Sequence, residues 1–294
     1  MQTEKLPQQD FLSWNFESLK GGRSENQDFY GYCETPDGSR LFIVCDGMGG
    51  MRGGSAASRE AVRVIIEEAS RSHEPDPERM LTQALKKANT SIFQLGQSKE
   101  ELRGMGTTVV ALHISKEKAT AAHVGDSRIY QLRGKQKVFR TFDHSVVFEM
   151  VKQGMLTEEQ ARLSPDSNLI SRALGIKPEV EPEINGNLPY RVGDRFMLCT
   201  DGISGPVEEQ RLLTMIASKK PVEKTAKEIA ATIDTLGVEA GGGHDNLTLA
   251  LIDVQANSKI KPISDKNKIV IIIIVFFLLL LLFISIGLNI HAYL

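Results

Sequence analysis

The sequence predicts an α+β protein built on antiparallel sheets. Strand-like runs at 107–115, 119–124 and 128–133 follow one another without a helix between them, and consecutive strands joined by short turns form hairpins, whereas a doubly wound parallel sheet needs a helix at each crossover. Helical periodicity is confined to a few longer stretches elsewhere in the chain. Apolar runs also end repeatedly in Asp-Gly or Gly-Asp, which marks where strands stop.

In chain order, the first strand with a clear signal is 41–45, in "LFIVCDGMGG", a run suited to burial on both faces before an acid and a glycine cluster. Helices are expected at 55–70 and 77–95. In the second, Met80, Ala84, Leu85, Ala88, Ile92 and Leu95 make one apolar stripe, read as core packing. The strands at 107–115, 119–124 and 128–133 come next, then a strand at 195–199, helices at 207–217 and 222–236, and a final strand at 246–253. No repeat or low-complexity tract interrupts this region.

The chain has 294 residues and a formal net charge of −2. A near-neutral balance gives no electrostatic reason to expect nucleic acid, so no nucleic-acid partner is expected. Three cysteines, Cys33, Cys45 and Cys199, are too few and too scattered for a disulfide framework or a CxxC zinc site, and suggest a reducing compartment. Cys33 and Arg40 are one residue too far apart for the C-x5-R loop of cysteine phosphatases. The start, "MQTEKLPQQDFLSW", lacks a cationic stretch followed by an apolar run, so no secretory signal is expected.

The far end is different. Residues 269–290, "IVIIIIVFFLLLLLFISIGLNI", carry no charge, and a helix rising ~1.5 Å per residue would span roughly the ~30 Å hydrocarbon core. Lys259, Lys261, Lys266 and Lys268 precede the run, and only His291 among basic side chains follows it. The positive-inside rule then keeps residues up to 268 cytoplasmic. The expected organisation is a catalytic domain at 1–254, a polar, basic linker at 255–268, a transmembrane helix at 269–290 in contact with lipid, and a short tail at 291–294.

Four aspartates share one context. Asp46, Asp126 and Asp201 close apolar strands, and Asp245 opens one. A single such residue is an ordinary turn or cap residue. Four converging at strand ends would repel one another unless cations neutralised them, which points to a shared metal cluster. All-oxygen ligation favours Mg2+ or Mn2+ over zinc. Gly47, without a side chain, could offer its carbonyl to an ion. A nucleotide phosphate cradle at 47–54 is rejected because the third glycine of G-x-G-x-x-G would fall on Arg52 and no G-K-[ST] follows.

"GGRSENQD" at 21–28, "VCDGMGG" at 44–50, "GMGTT" at 104–108, "HVGDSRIY" at 123–130, "DHS" at 143–145, "LISRALG" at 169–175, "CTDGIS" at 199–204 and "GGHDNLT" at 242–248 occur in this order. Together they resemble the bacterial branch of the metal-dependent protein phosphatases of type 2C, the PPM family, over roughly residues 14–254. The resemblance implies a four-layer αββα sandwich with two or three metal ions at one end. It implies that Asp46 bridges two ions, that Gly47 ligates one through its carbonyl, that Asp201 and Asp245 hold the first, and that Asp126 with Asp201 helps hold a third. Asp28 would orient a water, and Arg23 would bind the phosphate. The implied reaction is hydrolysis of phosphoserine or phosphothreonine in proteins by in-line attack of a metal-bridging hydroxide, without a phosphoenzyme.

Two positions depart from the family pattern. Gln27 stands where Glu is common, which would weaken occupancy of the second metal, and Met51 and Ser55 replace the His and Glu of G-G-H-x-x-G-E. His144 and His244 are alternative proton donors, each weighed against a structural hydrogen-bonding role. The segment 146–189 resembles a mobile flap and the strand region after it, and is expected to gate substrate entry. Tethering would restrict targets to membrane-proximal phosphoproteins, for example a membrane kinase. The alternatives are a phosphatase dedicated to one stress-response or anti-sigma phosphoprotein, and a catalytically quiescent phosphoprotein-binding scaffold.

Overall fold

The computed structural model describes residues 11–256, apart from the side chains of residues 50–52. The expected linker from 257, the span at 269–290, the tail and the side chain of Met51 therefore lie outside the described residues. Among the described residues, no helix is long and apolar enough to cross a membrane.

The chain begins with β1 (Leu12–Leu19), β2 (Phe29–Glu34), β3 (Arg40–Cys45) and the short β4 (Gly47–Met48). Two long helices follow, α1 (Gly50–Arg71) and α2 (Pro77–Ser98). Next come β5 (Gly106–Thr107), β6 (Val109–Ile114), β7 (Ala119–Val124), β8 (Arg128–Arg133) and β9 (Gln136–Arg140). Short helices α3 (Val146–Lys152) and α4 (Glu158–Arg162) lead to β10 (Glu183–Leu188) and β11 (Asp194–Cys199). The domain closes with α5 (Asp201–Ser204), α6 (Glu209–Ile216), α7 (Val222–Glu239) and β12 (Leu247–Val254).

The strands form two antiparallel five-stranded sheets, ordered β1-β12-β11-β8-β9 and β10-β7-β6-β3-β2. Strand periodicity explains the layering. In β3, Leu41, Ile43 and Cys45 pack with residues of α1 and α2, while Phe42 and Val44 pack with Phe196 and Leu198 of the other sheet. In β12, Leu247, Leu249 and Leu251 pack with α6 and α7, and Ala250 and Ile252 face the second sheet. A strand with both faces buried cannot alternate apolar with polar, so it reads as a continuous apolar run. Two sheets with helices on each outer face are the expected four layers.

The expected strand at 107–115 is divided between β5 and β6, because the Thr108 N–H turns away to the Asp46 carbonyl at 2.8 Å. Helix α1 starts earlier than its apolar periodicity suggested, from the glycine cluster, with Gly49 at φ 123° before it. The edge strands β1, β2, β9 and β10 carried weaker signals. β1 and β2 are joined across the sandwich edge by aromatic contacts, Phe16 stacking on Tyr30 at 4.5 Å and Trp14 tilted against Tyr32 at 5.4 Å.

Candidate active site

The topology brings several strand ends to one pole. β3 delivers Asp46, β7 delivers Gly125 and Asp126, β11 delivers Thr200 and Asp201, and β12 begins directly after Asp245 and Asn246. Registers that pair Phe29 with Cys45, Leu19 with Leu247 and Cys199 with Leu249 put the loop at 20–28 at the same end. Arg23, Asp46, Gly47, Asp126, Asp201 and Asp245 line a common cleft of about 460 Å³. Asp28 sits behind its wall, buried, with its Oδ2 accepting from Thr200 Oγ1 at 3.0 Å.

The electrostatics of this cleft are unusual for carboxylates. Burial, then repulsion from Asp28, Asp201 and Asp126, holds Asp46 well above the ordinary carboxylate range. Asp126 is raised by burial and by Asp201, and Asp201 by burial despite a hydrogen bond from Asp46. Burial pushes Asp28 up to about 7 against the hydrogen bonds of Thr248 and Thr200. The buried Oδ1 atoms of Asp28 and Asp201 have no hydrogen-bond partner. Oxygen atoms held close, desolvated and under-satisfied suit a hard divalent cation, which would neutralise them together.

The glycines fit the same purpose. A Cβ on Gly47 would lie 2.1 Å from the Gly54 carbonyl, and one on Gly54 would meet Gln27 Oε1 at 2.6 Å and the Gly47 carbonyl at 2.7 Å. The Gln27 amide oxygen and the Gly47 carbonyl thus share a corner that only side-chain-free backbone allows. The approach is as close on the other wall, where a Cβ on Gly202 would fall 1.9 Å from the Asn246 carbonyl.

Asn246, quoted within a motif but given no role by sequence reasoning, is the staple of the site. Its Nδ2 donates to the carbonyls of Lys20 at 2.7 Å and Glu25 at 3.0 Å, and its Oδ1 accepts from the Gln27 N–H at 2.8 Å. One buried amide therefore fixes the loop that carries Arg23 and Asp28. Its signal was position alone, beside Asp245 at the start of a strand. Asn246→Ala leaves these backbone groups unmatched, which costs about 1–3 kcal/mol each where they are buried. It is expected to lower the melting temperature and to cut phosphopeptide kcat/KM by at least about tenfold; thermal melts and steady-state kinetics at saturating Mn2+ check this.

The histidines have other duties. His144 accepts from the Gly125 N–H on Nδ1 at 3.2 Å, so its proton is on Nε2, facing Glu183 at 3.3 Å. Burial and the neighbouring His123 push it down to about 4. His244 Nε2 pairs with Asp234 Oδ1 of α7 at 2.8 Å and packs against Gly237, where a Cβ would fall 2.2 Å from its ring. Both anchor the site's loops. His123, His144 and Glu183 lie together, but the imidazoles stack at 4.4 Å and 16°, so their in-plane lone pairs run nearly parallel and do not converge on an ion.

Behind the acid cluster, Arg128 donates to both oxygens of Asp143 at 2.8 and 2.7 Å. A second cleft of about 260 Å³ shares Asp126, Asn168, Asp201 and Asp245 with the first and is lined by Val147 and Phe148 of α3 and Arg162 of α4. The segment at 146–169 therefore adjoins the acid cluster and has a small core of its own, Val147, Phe148 and Ala161. Beyond it, β10 is an edge strand paired with β7.

Two antiparallel sheets between helices, with a desolvated acid cluster at one pole, fit the class of enzymes that work through divalent cations. The chain belongs to the protein phosphatase 2C family, whose family model matches residues 20–251. It is similar to the serine/threonine phosphatase stp of Listeria welshimeri, with 33% identity over 79% of this chain and 91% of the relative. Among solved structures it resembles the Streptococcus agalactiae serine/threonine phosphatase, 31% identical, with a TM-score of 0.75 over 83% of this chain and 100% of that one. It also resembles the catalytic domain of the serine/threonine protein phosphatase PstP in complex with two manganese ions, 30% identical, with a TM-score of 0.71 over 84% of this chain and 99% of that one. The protein is thus a protein serine/threonine phosphatase, and metal dependence goes with its family.

Proposed function

We propose that the chain is a membrane-tethered phosphatase that hydrolyses phosphoserine and phosphothreonine esters at this cleft with two or three Mn2+ or Mg2+ ions. The observation that carries the reading is the convergence of Asp46, Asp126, Asp201 and Asp245 on one cleft beside Arg23. When bound, the ions supply a water of lowered pKa and positive charge against the phosphoryl oxygens. Asp46 would bridge two of them, the Gly47 carbonyl would complete one, Asp201 and Asp245 would hold the first, and Asp126 with Asp201 a third.

The remaining steps belong to the chain's own side chains. Arg23 donates to Asp245 at 2.9 Å, and both side chains are about half exposed, at 53% and 42%. Exposed pairs contribute about 0–1 kcal/mol, so Arg23 can release Asp245 and grip a phosphoryl group through its fork at little cost. Asp28, held by Thr200 on one oxygen, has the other free to orient the attacking water. Attack in line at phosphorus then needs no covalent intermediate. The segment at 146–169 gates entry.

The catalytic domain at 1–254, the linker at 255–268 and the span at 269–290 remain the organisation we infer, from the uncharged apolar run and the lysines before it. Phosphoproteins near the membrane, such as a membrane kinase, are the substrates this favours. The test uses full-length protein. Phosphothreonine peptide and para-nitrophenyl phosphate should turn over with Mn2+ or Mg2+ and stop in EDTA; no turnover by folded protein at millimolar Mn2+ would sink the catalytic reading. Separately, the chain should stay in the membrane pellet after carbonate extraction and become extractable when 269–294 are deleted.

A further inference from the structure

Opposite the catalytic cleft lies a second pole, where the last strand ends and several cationic side chains stand without carboxylate partners among the described residues. β12 begins two residues after Asp245 of the cleft and runs to Val254, and the seven rises of ~3.4 Å between its eight residues separate its ends by roughly 24 Å. At Val254 the strand pairs with Leu12, and Gln255 donates to the Phe11 carbonyl, so the linker leaves the domain from this far pole.

The loops around that exit are basic. The hairpin between β6 and β7 presents Lys116, the hairpin between β8 and β9 presents Lys135, the turn before β11 presents Arg191, and the connection from α6 to α7 presents Lys219. All of them are exposed, and none of their side chains has a carboxylate partner among the described residues. Gly134, Gly193, Lys219 and Gln255 line one shallow depression of about 330 Å³, which puts three of these loops at the linker's exit. The fourth is joined to them by Tyr190, whose hydroxyl donates to the Ser115 carbonyl. Val192 stands out at 66% exposed among these cations. The carboxylates set into this pole beside the linker's exit, Asp194 and Asp253, are consumed by Arg133 and Arg195, whereas Lys116 shares its side of the pole with Asp37, Glu74 and Glu117, so the excess of cations lies at Lys135, Arg191 and Lys219.

We infer that this pole is a docking surface for an anionic lipid bilayer, which holds the catalytic cleft pointing away from the membrane. Unpartnered cations around an exposed Val are complementary to anionic headgroups, each Lys or Arg near the surface adding about a fivefold gain in partition. Orientation then follows from the position of these cations around the linker's exit, at the end of the domain away from the cleft. The linker sequence adds charge of the same sign, with Lys259, Lys261, Lys266 and Lys268 after the exit. At 14 residues it reaches at most roughly 50 Å, which bounds the distance from the exit to the bilayer and leaves the orientation to the cations. The inference rests on the tether reading for the full chain, but the patch belongs to the catalytic domain and can be tested without the tether.

The domain is testable alone, because the Streptococcus agalactiae phosphatase is matched over 100% of its chain by 83% of this one. Residues 1–256 are mixed with phosphatidylcholine vesicles with or without phosphatidylglycerol, and flotation and phosphopeptide turnover are measured. The fragment should float only with phosphatidylglycerol, and less as salt rises. A variant combining Lys116→Gln, Lys135→Gln, Arg191→Gln and Lys219→Gln should lose partition by more than about a hundredfold at unchanged turnover in solution. Turnover of a soluble phosphopeptide by vesicle-bound fragment should match that of free enzyme within about twofold, since the cleft faces outward. No phosphatidylglycerol-dependent flotation, undiminished flotation of the variant, or loss of turnover on the vesicle would each overturn the inference. Failure of the tether shows differently, as full-length chain released by carbonate.

Discussion

Asp201→Asn is expected to abolish phosphopeptide hydrolysis while making the metal-free protein more stable. Asp201 lines the cleft between Asp46 and Asp245, and burial and Asp245 raise its carboxyl above the ordinary range. An asparagine keeps the shape and the backbone bond from Gly205 to the Asp201 carbonyl at 2.6 Å, but removes a desolvated charge facing other carboxylates. We expect a gain on the order of 1–2 kcal/mol without metal, which at this size raises the melting temperature by about 2–4 °C per kcal/mol. The same substitution removes a shared ligand of the proposed ions, so kcat should fall at least about a thousandfold, or about 4 kcal/mol of barrier. The Mn2+-induced rise in melting temperature should shrink as well. A variant that melts like wild type with and without Mn2+ would show that Asp201 neither strains the fold nor holds an ion.

The second large effect is a pH dependence of metal-free stability to which Asp28 contributes. Its carboxyl is raised to about 7 by burial, whereas an unfolded Asp titrates near ~3.9. The folded state therefore binds more protons between these values, and stability falls as pH rises through this window, by about 4 kcal/mol at pH 7. Below about pH 4 the carboxyl is protonated in both states and the effect vanishes. His123 and His144 act in the opposite sense. Burial lowers both, His144 to about 4, so the folded state loses stability as pH falls below the unfolded histidine value near ~6.5. Asp46, Asp126 and Asp201 are raised as well and add to the Asp28 trend, so the raw pH profile mixes all of these, and the difference between wild type and Asp28→Asn reads the Asp28 carboxyl together with its repulsion of Asp46 and Asp201. In EDTA that difference should grow against wild type from pH 4 to pH 7, read by urea unfolding at each pH. Saturating Mn2+ should reduce it, because a cation stabilises the ionised form. A difference independent of pH would mean that Asp28 ionises freely.

The strands whose faces are both buried were legible in the sequence. β3, β6, β7, β11 and β12 read as continuous apolar runs because helices cover one face and the opposing sheet the other. The acids were legible for a related reason, since a carboxylate directly after such a run has no partner in its own strand. The edge strands were harder to see. β1 and β9 each pair with a single neighbour, β10 turns out polar Asn and Gly residues, and what stabilises them is the strand or aromatic ring beside them.

By itself, then, the sequence determined which segments must be buried and which carboxylates would sit at strand ends, because burial and turn chemistry are local. Tertiary structure alone decided that Asp28 lies behind the cleft, that Asn246 ties the Arg23 loop to β12, and that His144 and His244 serve as anchors. It also decided that β12 ends at the pole opposite the acids, where Gln255 meets Phe11. These depend on strand register, which joins residues as distant as Lys20 and Asn246 and is set by packing across the whole domain.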